Sequence, residues 1–252
     1  MHFSVLTLNL HGTIDRWLGR RELIVAGLVD SQPDVIAFQR ANIWGGQVQW
    51  IVRQINERIG FKKYHGIQRR HRGFGSFADG VAIASVYPIV FSETLKLPEN
   101  RTALLVNIEM PTGDTIDIVC CHLVPGIRLP EVRYQQAMEL TGWLSIAGRS
   151  SWQVIAGGLN DVPESRTIQR IKQQYRSAWE TVYGYEPIAT WPTGLGDEYA
   201  GWTGCLDYLF ATPNLEVIGA RLFGNQVHLV DETLFMSDHV GLEATFSLNS
   251  KL

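Results

Sequence analysis

Residues 152–161 read Trp-Gln-Val-Ile-Ala-Gly-Gly-Leu-Asn-Asp, an apolar run that stops at two glycines and is followed by polar side chains. A short apolar run bounded by turn-forming residues is typical of a buried β-strand. Three other segments have the same form, an apolar strand that ends in a polar residue: 3–9, 34–40 and 115–122. The sequence therefore predicts a fold built on strands whose ends present reactive side chains.

Helical patterns lie between some of the strands. Apolar residues at helical spacing predict helices over residues 20–29, 47–59, 131–146 and 165–171. Strands are predicted over residues 3–8, 34–38, 81–84, 102–109, 115–123, 152–156, 205–211, 215–222 and 240–246. Because the strands dominate and occur in pairs, the pattern favours an α/β fold. We expect two mixed, mainly antiparallel sheets packed face to face, with the helices outside.

Composition excludes several classes of protein. The chain has 252 residues, 45% of them apolar, and a formal net charge of -3, which together exclude an intrinsically disordered or strongly basic packaging protein. Three cysteines, Cys120, Cys121 and Cys205, are too few for a disulfide framework. Neither a signal peptide nor an apolar run of the ~20 residues that span a membrane is visible. The expectation is a cytoplasmic protein.

Polar residues cluster where the predicted strands end. Singly, each has an ordinary structural explanation, since an Asn after a strand commonly forms a turn and a buried His is commonly only hydrogen-bonded. Together they would form a general acid–base and oxyanion-binding set. The set comprises Asn9, His122, Asn160, Asp207, Asp238 and His239.

The order and spacing of these residues resemble the endonuclease/exonuclease/phosphatase superfamily, which includes deoxyribonucleases and inositol polyphosphate phosphatases. Seven segments carry the resemblance: 8–10, 33–39, 80–85, 122–123, 157–161, 206–208 and 237–239. They cover nearly the whole chain, so the resemblance implies one domain over residues 1–252. It also implies a four-layer α/β-sandwich, a site at one edge of the two sheets, and Mg²⁺-dependent hydrolysis of phosphoesters by in-line attack of water.

The resemblance assigns a role to each matching residue. Asn9 matches an asparagine that helps to hold the metal-binding carboxylate, and Asp238 matches a further acidic residue near the metal. His122 matches a histidine that contacts the scissile phosphate. Asn160 matches the asparagine that positions the phosphate and the attacking water.

Asp207 and His239 match a pair in which the aspartate orients the histidine that polarises the phosphoryl oxygen. This pair also makes sense from its chemistry alone. A carboxylate fixes the tautomer of an imidazole and favours its protonated form, which stabilises a pentacoordinate phosphate.

Two departures from the family pattern concern the metal and the base. Arg40 stands where the family has the glutamate that is its principal metal ligand, and Gly158 stands where it has the aspartate that activates water. A guanidinium offers no lone pair and repels a cation, and glycine cannot accept a proton. Asp161 lies three positions beyond Gly158 and is expected to serve as a turn or helix-capping residue.

Smaller departures fall in the same region. The predicted ligand-binding residues include Tyr87, which lies close to the position where family members often have Leu-Ser-Arg. They also include Cys205, which is expected on the same strand face as Asp207. Changes concentrated in one pocket indicate that it was silenced or repurposed, either in nature or by deliberate alteration. No cofactor is therefore expected in this chain, although the family uses Mg²⁺.

Arg40 itself has two interpretations. In the favoured interpretation, Arg40 forms a salt bridge with Asp238 or Asp207 in the place of the metal. In the other, its guanidinium binds a phosphate, sulfate or carboxylate bidentately.

Four functions remain open at this point. The favoured one is a metal-free, inactive phosphoesterase scaffold. The others are a Mg²⁺-dependent hydrolase with ligands relocated to Asp207, Asp238, Asn9 and Asp161, a hydrolase with a Cys–His pair, and a binding module. The module would use the basic segment 69–74 with Trp44, Trp191 and Trp202. A small anionic ligand or phosphoester is the expected partner, and the net charge of -3 does not favour nucleic acid.

Overall fold

The structure, a computed structural model, describes residues 1–61, 63–71, 79–195, 201–226, 228 and 230–248. Its first sheet has the strand order β11-β12-β1-β2-β4-β3. Its strands are β1 (His2–Asn9), β2 (Val35–Asn42), β3 (His65–Arg70), β4 (Asp79–Ser85), β11 (Glu216–Phe223) and β12 (Gly241–Ser247). Among these described strands only β1 and β2 are parallel, so their carboxyl ends lie side by side at one edge of this sheet.

The second sheet has the strand order β5-β6-β7-β8-β10-β9. Its strands are β5 (Ile89–Leu97), β6 (Arg101–Glu109), β7 (Thr115–His122), β8 (Gln153–Gly158), β9 (Arg176–Ser177) and β10 (Asp207–Ala211). Here β7 and β8 are the parallel pair, with His122 opposite Gly158. Both sheets are thus mixed and mainly antiparallel, as the sequence predicts.

In the described part of the chain, five helices cover the sheets: α1 (Trp17–Ser31), α2 (Gln47–Ile59), α3 (Pro130–Ala147), α4 (Arg166–Lys172) and α5 (Ala178–Tyr183). Leu28 of α1 and Ile51 of α2 pack on the outer face of the first sheet. Leu140 of α3 and Ile168 of α4 pack on the outer face of the second. Among the described residues, no helix has the length and hydropathy that crossing a bilayer requires.

A third apolar layer lies between the two sheets, with Val5, Val106 and Phe246 among its members. Side chains of β1, β2, β4, β6, β7 and β8 alternate between this layer and the helix-covered faces, as expected for buried strands. Three apolar layers between four layers of structure make the α/β-sandwich that the resemblance implies.

The predicted strands and helices all occur, with boundaries shifted by a few residues. Three strands and one helix were not predicted: β3, β5, β9 and α5. β3 is an edge strand reading His-Gly-Ile-Gln-Arg-Arg, with little apolar alternation because only one neighbour and a helix cover it. β9 and α5 are two and six residues long, too short for a periodic signal.

Candidate active site

Seven of the predicted side chains lie at one edge of the two sheets. Asn9 and Arg40 lie at the carboxyl ends of β1 and β2, and His122 is the last residue of β7. The other four follow β8, begin β10 or precede β12: Asn160, Asp207, Asp238 and His239. Strand ends from both sheets therefore meet around one site.

Arg40 owes its orientation to a β-bulge. The register between β2 and β4 shifts between Phe38 and Ala41, and Arg40 has a left-handed backbone with φ of 46°. Such a bulge redirects the side chain of the extra residue. The guanidinium Nη1 lies 3.7 Å from Oδ2 of Asp238 and 3.1 Å from Nδ1 of His11. Arg40 therefore forms a salt bridge with Asp238, one of the two partners that the sequence predicts for it.

His11 is a member of the site that the sequence analysis missed. Its Nδ1 lies 2.8 Å from Oδ2 of Asp238 and its Nε2 lies 2.5 Å from Oδ2 of Asp15. Its backbone N–H donates to Oδ1 of Asn9 at 3.0 Å. The available signal was its position two residues after Asn9, in the loop that leaves β1.

A divalent cation does not fit between these residues. The side-chain oxygen of Asn9 accepts the backbone N–H of His11, and Oδ2 of Asp238 faces both His11 and Arg40. Burial acts to raise the pKa of Asp238, but the hydrogen bond from His11 and the surrounding positive charges hold it below its usual range. The carboxylate is therefore ionised and already neutralised, and the guanidinium would repel Mg²⁺ at contact distance.

Asp207 and His239 form the expected pair. Nδ1 of His239 lies 2.7 Å from Oδ2 of Asp207, which also accepts the hydroxyl of Thr190 at 2.7 Å. Burial acts to lower the pKa of His239, but the carboxylates of Asp207 and Asp238 together more than offset it, so the pKa is raised. The pair favours an imidazolium. Thr190 was also missed, because its position 17 residues before Asp207 gives no local signal.

We expect the pKa of His239 to depend on Asp207. Because the folded-state pKa is raised, this pair stabilises the protein below the unfolded-state pKa of ~6.5, and the contribution is lost as pH rises through the folded-state pKa. Asp207→Asn should move the titration of His239 to lower pH, as measured by NMR of its ring nitrogens. Asp114→Asn, in an exposed hairpin turn, is the control. An unchanged titration in Asp207→Asn would contradict this role of the carboxylate.

Gly158 leaves room between His122 and Asp207. A β-carbon at this position would lie 3.0 Å from Cδ2 of His122 and 3.4 Å from Oδ1 of Asp207. That oxygen of Asp207 is buried and has no hydrogen-bond partner among the described residues. An aspartate at this position would place a second carboxylate beside Asp207, which needs a cation for charge balance.

The side chain of Asn160 lies against the end of β7, whereas that of Asp161 lies between α3 and α4. Asn160 adopts a left-handed backbone with φ of 55°, and its Nδ2 donates to the carbonyl of Leu123 at 2.7 Å. Asp161 binds Arg133 at 3.0 Å and accepts the hydroxyl of Thr167. Its carboxylate holds α3 and α4 together, so it is not available to the relocated ligand set.

Tyr87 and Cys205 lie outside this site, contrary to their prediction as ligand-binding residues. Tyr87 follows the far end of β4, where its hydroxyl donates to Asp34 at 3.3 Å. Cys205 precedes β10, which begins at Asp207, and packs in the apolar layer under α3 and α4. The prediction failed because it extended the strand by two residues.

The cysteines do not form a nucleophilic pair with a histidine. Sγ of Cys120 lies 3.2 Å from Nε2 of Gln39 and 3.3 Å from the carbonyl of Phe38. Burial raises the pKa of Cys120 to about 12 and raises that of Cys205 as well. In the described part of the chain neither thiol hydrogen-bonds a histidine, and thiols this buried are poor nucleophiles.

A second polar cluster adjoins the site and was also missed. His71 follows β3, Asp79 begins β4 and Arg101 begins β6, so these residues come from both sheets. Their sequence positions carry no common motif. One nitrogen of His71, one of His122 and a carboxylate oxygen of Asp79 lie within 4.8 Å of one another.

Aromatic rings lie near His239 and near Arg70. The ring centroids of Trp191 and Trp202 are 5.7 Å apart, and that of Trp191 is 6.4 Å from His239. The guanidinium of Arg70 lies 5.2 Å from the ring of Trp44, which is exposed. Residues 72–74 of the predicted basic segment lie outside the described residues.

The geometry agrees with the comparison to known protein families. The chain matches the model of the Endonuclease/Exonuclease/phosphatase family over residues 6–239, and it therefore belongs to that family. A search of curated proteins found no match.

Solved structures share the fold at low sequence identity. The human Nocturnin catalytic domain with bound sulfate anion is 19% identical with a TM-score of 0.79, covering 98% of this chain and 94% of that one. D. rerio TDP2 complexed with single strand DNA product is 18% identical with a TM-score of 0.80, covering 98% and 99%. A family member from Beutenbergia cavernae DSM 12333 is 19% identical with a TM-score of 0.73, covering 98% and 72%.

Proposed function

We propose that this chain is a metal-free member of its family that binds a phosphate ester or similar oxyanion and does not catalyse Mg²⁺-dependent phosphoester hydrolysis. The observation that carries the proposal is the position of Arg40. Its guanidinium lies against Asp238 and His11, where the family resemblance places the metal-binding glutamate. The positive charge of the cation is replaced by a fixed positive charge of the protein.

The remaining charges of the site support an anionic ligand. His239 is held toward its imidazolium form by Asp207 at 2.7 Å, and Arg40 is one-third exposed at the site. A guanidinium with free N–H groups binds an oxyanion through charge-assisted hydrogen bonds. The likeness to the Nocturnin domain, whose structure contains bound sulfate, agrees with this choice.

The two hydrolytic alternatives have less support. A relocated metal site would need Asp207, Asp238 and Asp161, and each of these carboxylates is paired with a basic side chain. A Cys–His hydrolase would need an accessible thiol, and all three cysteines are buried.

Binding of inorganic phosphate tests the proposal. We expect Arg40→Gln to weaken binding ~10- to 100-fold, since a hydrogen bond to a charged group is worth ~1.5–3 kcal/mol. Isothermal titration calorimetry in the presence of a chelator measures it. Arg166→Gln, an exposed change on α4, is the matched control. Equal affinity in Arg40→Gln and the parent chain, or no binding in either, would contradict the proposal.

Single-stranded nucleic acid is a second candidate partner. The observation in its favour is the Trp191–Trp202 pair beside His239, because aromatic rings stack on bases. TDP2, which shares the fold, has been solved with a single-strand DNA product. Titration of a single-stranded oligonucleotide at two salt concentrations tests this candidate. Binding through the phosphate backbone of the nucleic acid weakens steeply with salt, and no binding at either concentration would exclude it.

A further inference from the structure

The cluster of His71, Asp79, His122 and Arg101 contains four polar atoms that lack a hydrogen-bond partner among the described residues. They are Nε2 of His71, Oδ1 of Asp79, Nδ1 of His122 and Nε of Arg101, and all are buried. His71 and His122 are only 1% and 2% exposed. A buried polar group without a partner is costly, so four such atoms in one place point to a bound polar group that completes their hydrogen bonds.

The cluster lies beside Arg40. In the register of β2 with β4, Ala41 is opposite Gly80 and Asn42 is opposite Asp79, so Asp79 lies on the strand next to Arg40. His122 reaches the same place from β7 of the second sheet, and its Nε2 lies near Gly158. A ligand whose anionic group contacts Arg40 would therefore extend into this cluster.

The position of the proton on the imidazole of His71 determines which chemical groups the cluster can bind. The backbone N–H of Thr102 donates to Nδ1 of His71 at 3.0 Å, so Nδ1 is an acceptor. Burial and the charge of Arg101 lower the pKa of His71 to about 3, so the ring is neutral. A neutral imidazole with an accepting Nδ1 carries its proton on Nε2. The orphan atom of His71 is therefore a donor.

This assignment argues against a metal ion at the cluster. A histidine ligand gives its lone pair to the metal and donates a proton from the other nitrogen, which is the reverse of what His71 does. Burial raises the pKa of Asp79, and Arg40 and Arg101 are close enough to oppose that shift. Two guanidinium groups at that range also repel a divalent cation.

The cluster instead offers at least one donor and one acceptor side by side. Nε2–H of His71 donates, and the free oxygen of Asp79 accepts. A phosphate or carboxylate would leave the acceptor unsatisfied, and an ammonium group would leave the donor unsatisfied. A hydroxyl group both accepts and donates one hydrogen bond.

We propose that His71, Asp79 and His122 form a subsite for a hydroxyl group of a phosphate ester whose phosphoryl group contacts Arg40. The proposal rests on the anion binding proposed above and specifies the ligand: a phosphate ester that carries a free hydroxyl, such as a sugar or polyol phosphate. A site built to bind a hydroxyl discriminates strongly against the analogue that lacks it, because the buried polar groups are then left unpaired.

Two pairs of probes test the subsite: glycerol 3-phosphate against propyl phosphate, and ribose 5-phosphate against cyclopentylmethyl phosphate. Inorganic phosphate reports on the anion site alone. We expect the parent chain to bind the hydroxylated member of at least one pair ~10-fold or more tightly, since leaving a buried donor or acceptor unpaired costs ~1–3 kcal/mol.

Two variants connect the preference to the cluster. Asparagine in His71→Asn retains an oxygen that can accept the N–H of Thr102 but has no counterpart of Nε2–H, and Asp79→Asn keeps the shape of the side chain without its charge. Both should lose the preference for the hydroxylated probe and keep the affinity for inorganic phosphate. Circular dichroism and the thermal midpoint establish that each variant is folded.

The outcomes separate the two proposals. Phosphate binding without a hydroxyl preference in either pair overturns the subsite and leaves the anion site standing. A preference that survives in folded His71→Asn and Asp79→Asn also overturns it. No binding of inorganic phosphate overturns both proposals. Stoichiometric Zn²⁺ binding that His71→Asn abolishes would show that the cluster is a metal site instead.

Discussion

Replacing Arg40 by glutamate and Gly158 by aspartate together is expected to produce Mg²⁺-dependent phosphodiester hydrolysis, the activity that we propose is absent from the parent chain. The first change supplies a carboxylate next to Asp238 and removes the guanidinium that lies 3.7 Å from it. The second supplies a proton acceptor between His122 and Asp207. Since a metal or a general base each contributes ~10²–10⁴-fold, a gain of at least ~10²-fold is expected.

The effect of Gly158→Asp on stability should depend on whether Arg40→Glu is also present. In Gly158→Asp the new β-carbon would meet the ring of His122 at 3.0 Å, so the imidazole must move by a few tenths of an ångström. The new carboxylate would also lie beside Asp207, and a bound cation relieves that repulsion. Gly158→Asp alone should therefore be less stable than the double variant in Mg²⁺.

Hydrolysis of bis(p-nitrophenyl) phosphate with and without a chelator measures the gain. The matched control combines Arg40→Gln with Gly158→Asn, which reproduces the shapes without the carboxylates. A folded double variant with no more chelator-sensitive turnover than this control would contradict the account. It would show that the loss of these two carboxylates does not by itself explain an inactive site.

Arg20→Ala is expected to lower the free energy of unfolding by ~3–5 kcal/mol, as for a buried charge network that loses one partner. The Arg20 side chain is fully buried and donates to five backbone carbonyls. These belong to Leu10, Gly12, Ile14, Asp15 and Met236. Burial lowers the pKa of Arg20 only to about 10, so it stays charged at neutral pH.

Arg20 also shapes the site, because four of the five carbonyls lie in the loop that follows β1 and carries His11. Urea unfolding of the parent chain and the variant measures the loss of stability. Arg58→Ala is the control, since Arg58 forms an exposed ion pair with Glu22 and such pairs contribute ~0–1 kcal/mol. A loss for Arg20→Ala no larger than that of the control would contradict this role.

The fold could be predicted because its central strands are apolar runs bounded by glycines and polar residues. β8, buried at all six positions, is an example. The edge strand β3 could not be predicted in the same way, since its six residues are intermediate or exposed. Its conformation is determined by six residue pairs with β4 rather than by its own pattern.

The site was predictable where its residues belong to local motifs at strand ends, as for His122 and His239. The polar cluster was not, because His71, Asp79 and Arg101 are brought together only when the two sheets pack. Cys205 was misplaced for a related reason. Alternation predicts the side-chain face only within a strand, and β10 begins two residues after it.

The proposed replacement of a metal by the guanidinium of Arg40 is tested most directly on the unaltered chain. The measurement is hydrolysis of bis(p-nitrophenyl) phosphate with Mg²⁺ or Mn²⁺, compared with the same reaction in excess chelator. We expect the two rates to be equal and indistinguishable from the rate without protein, because Arg40 neutralises Asp238 and no carboxylate stands at Gly158. Turnover that a chelator abolishes would contradict the account.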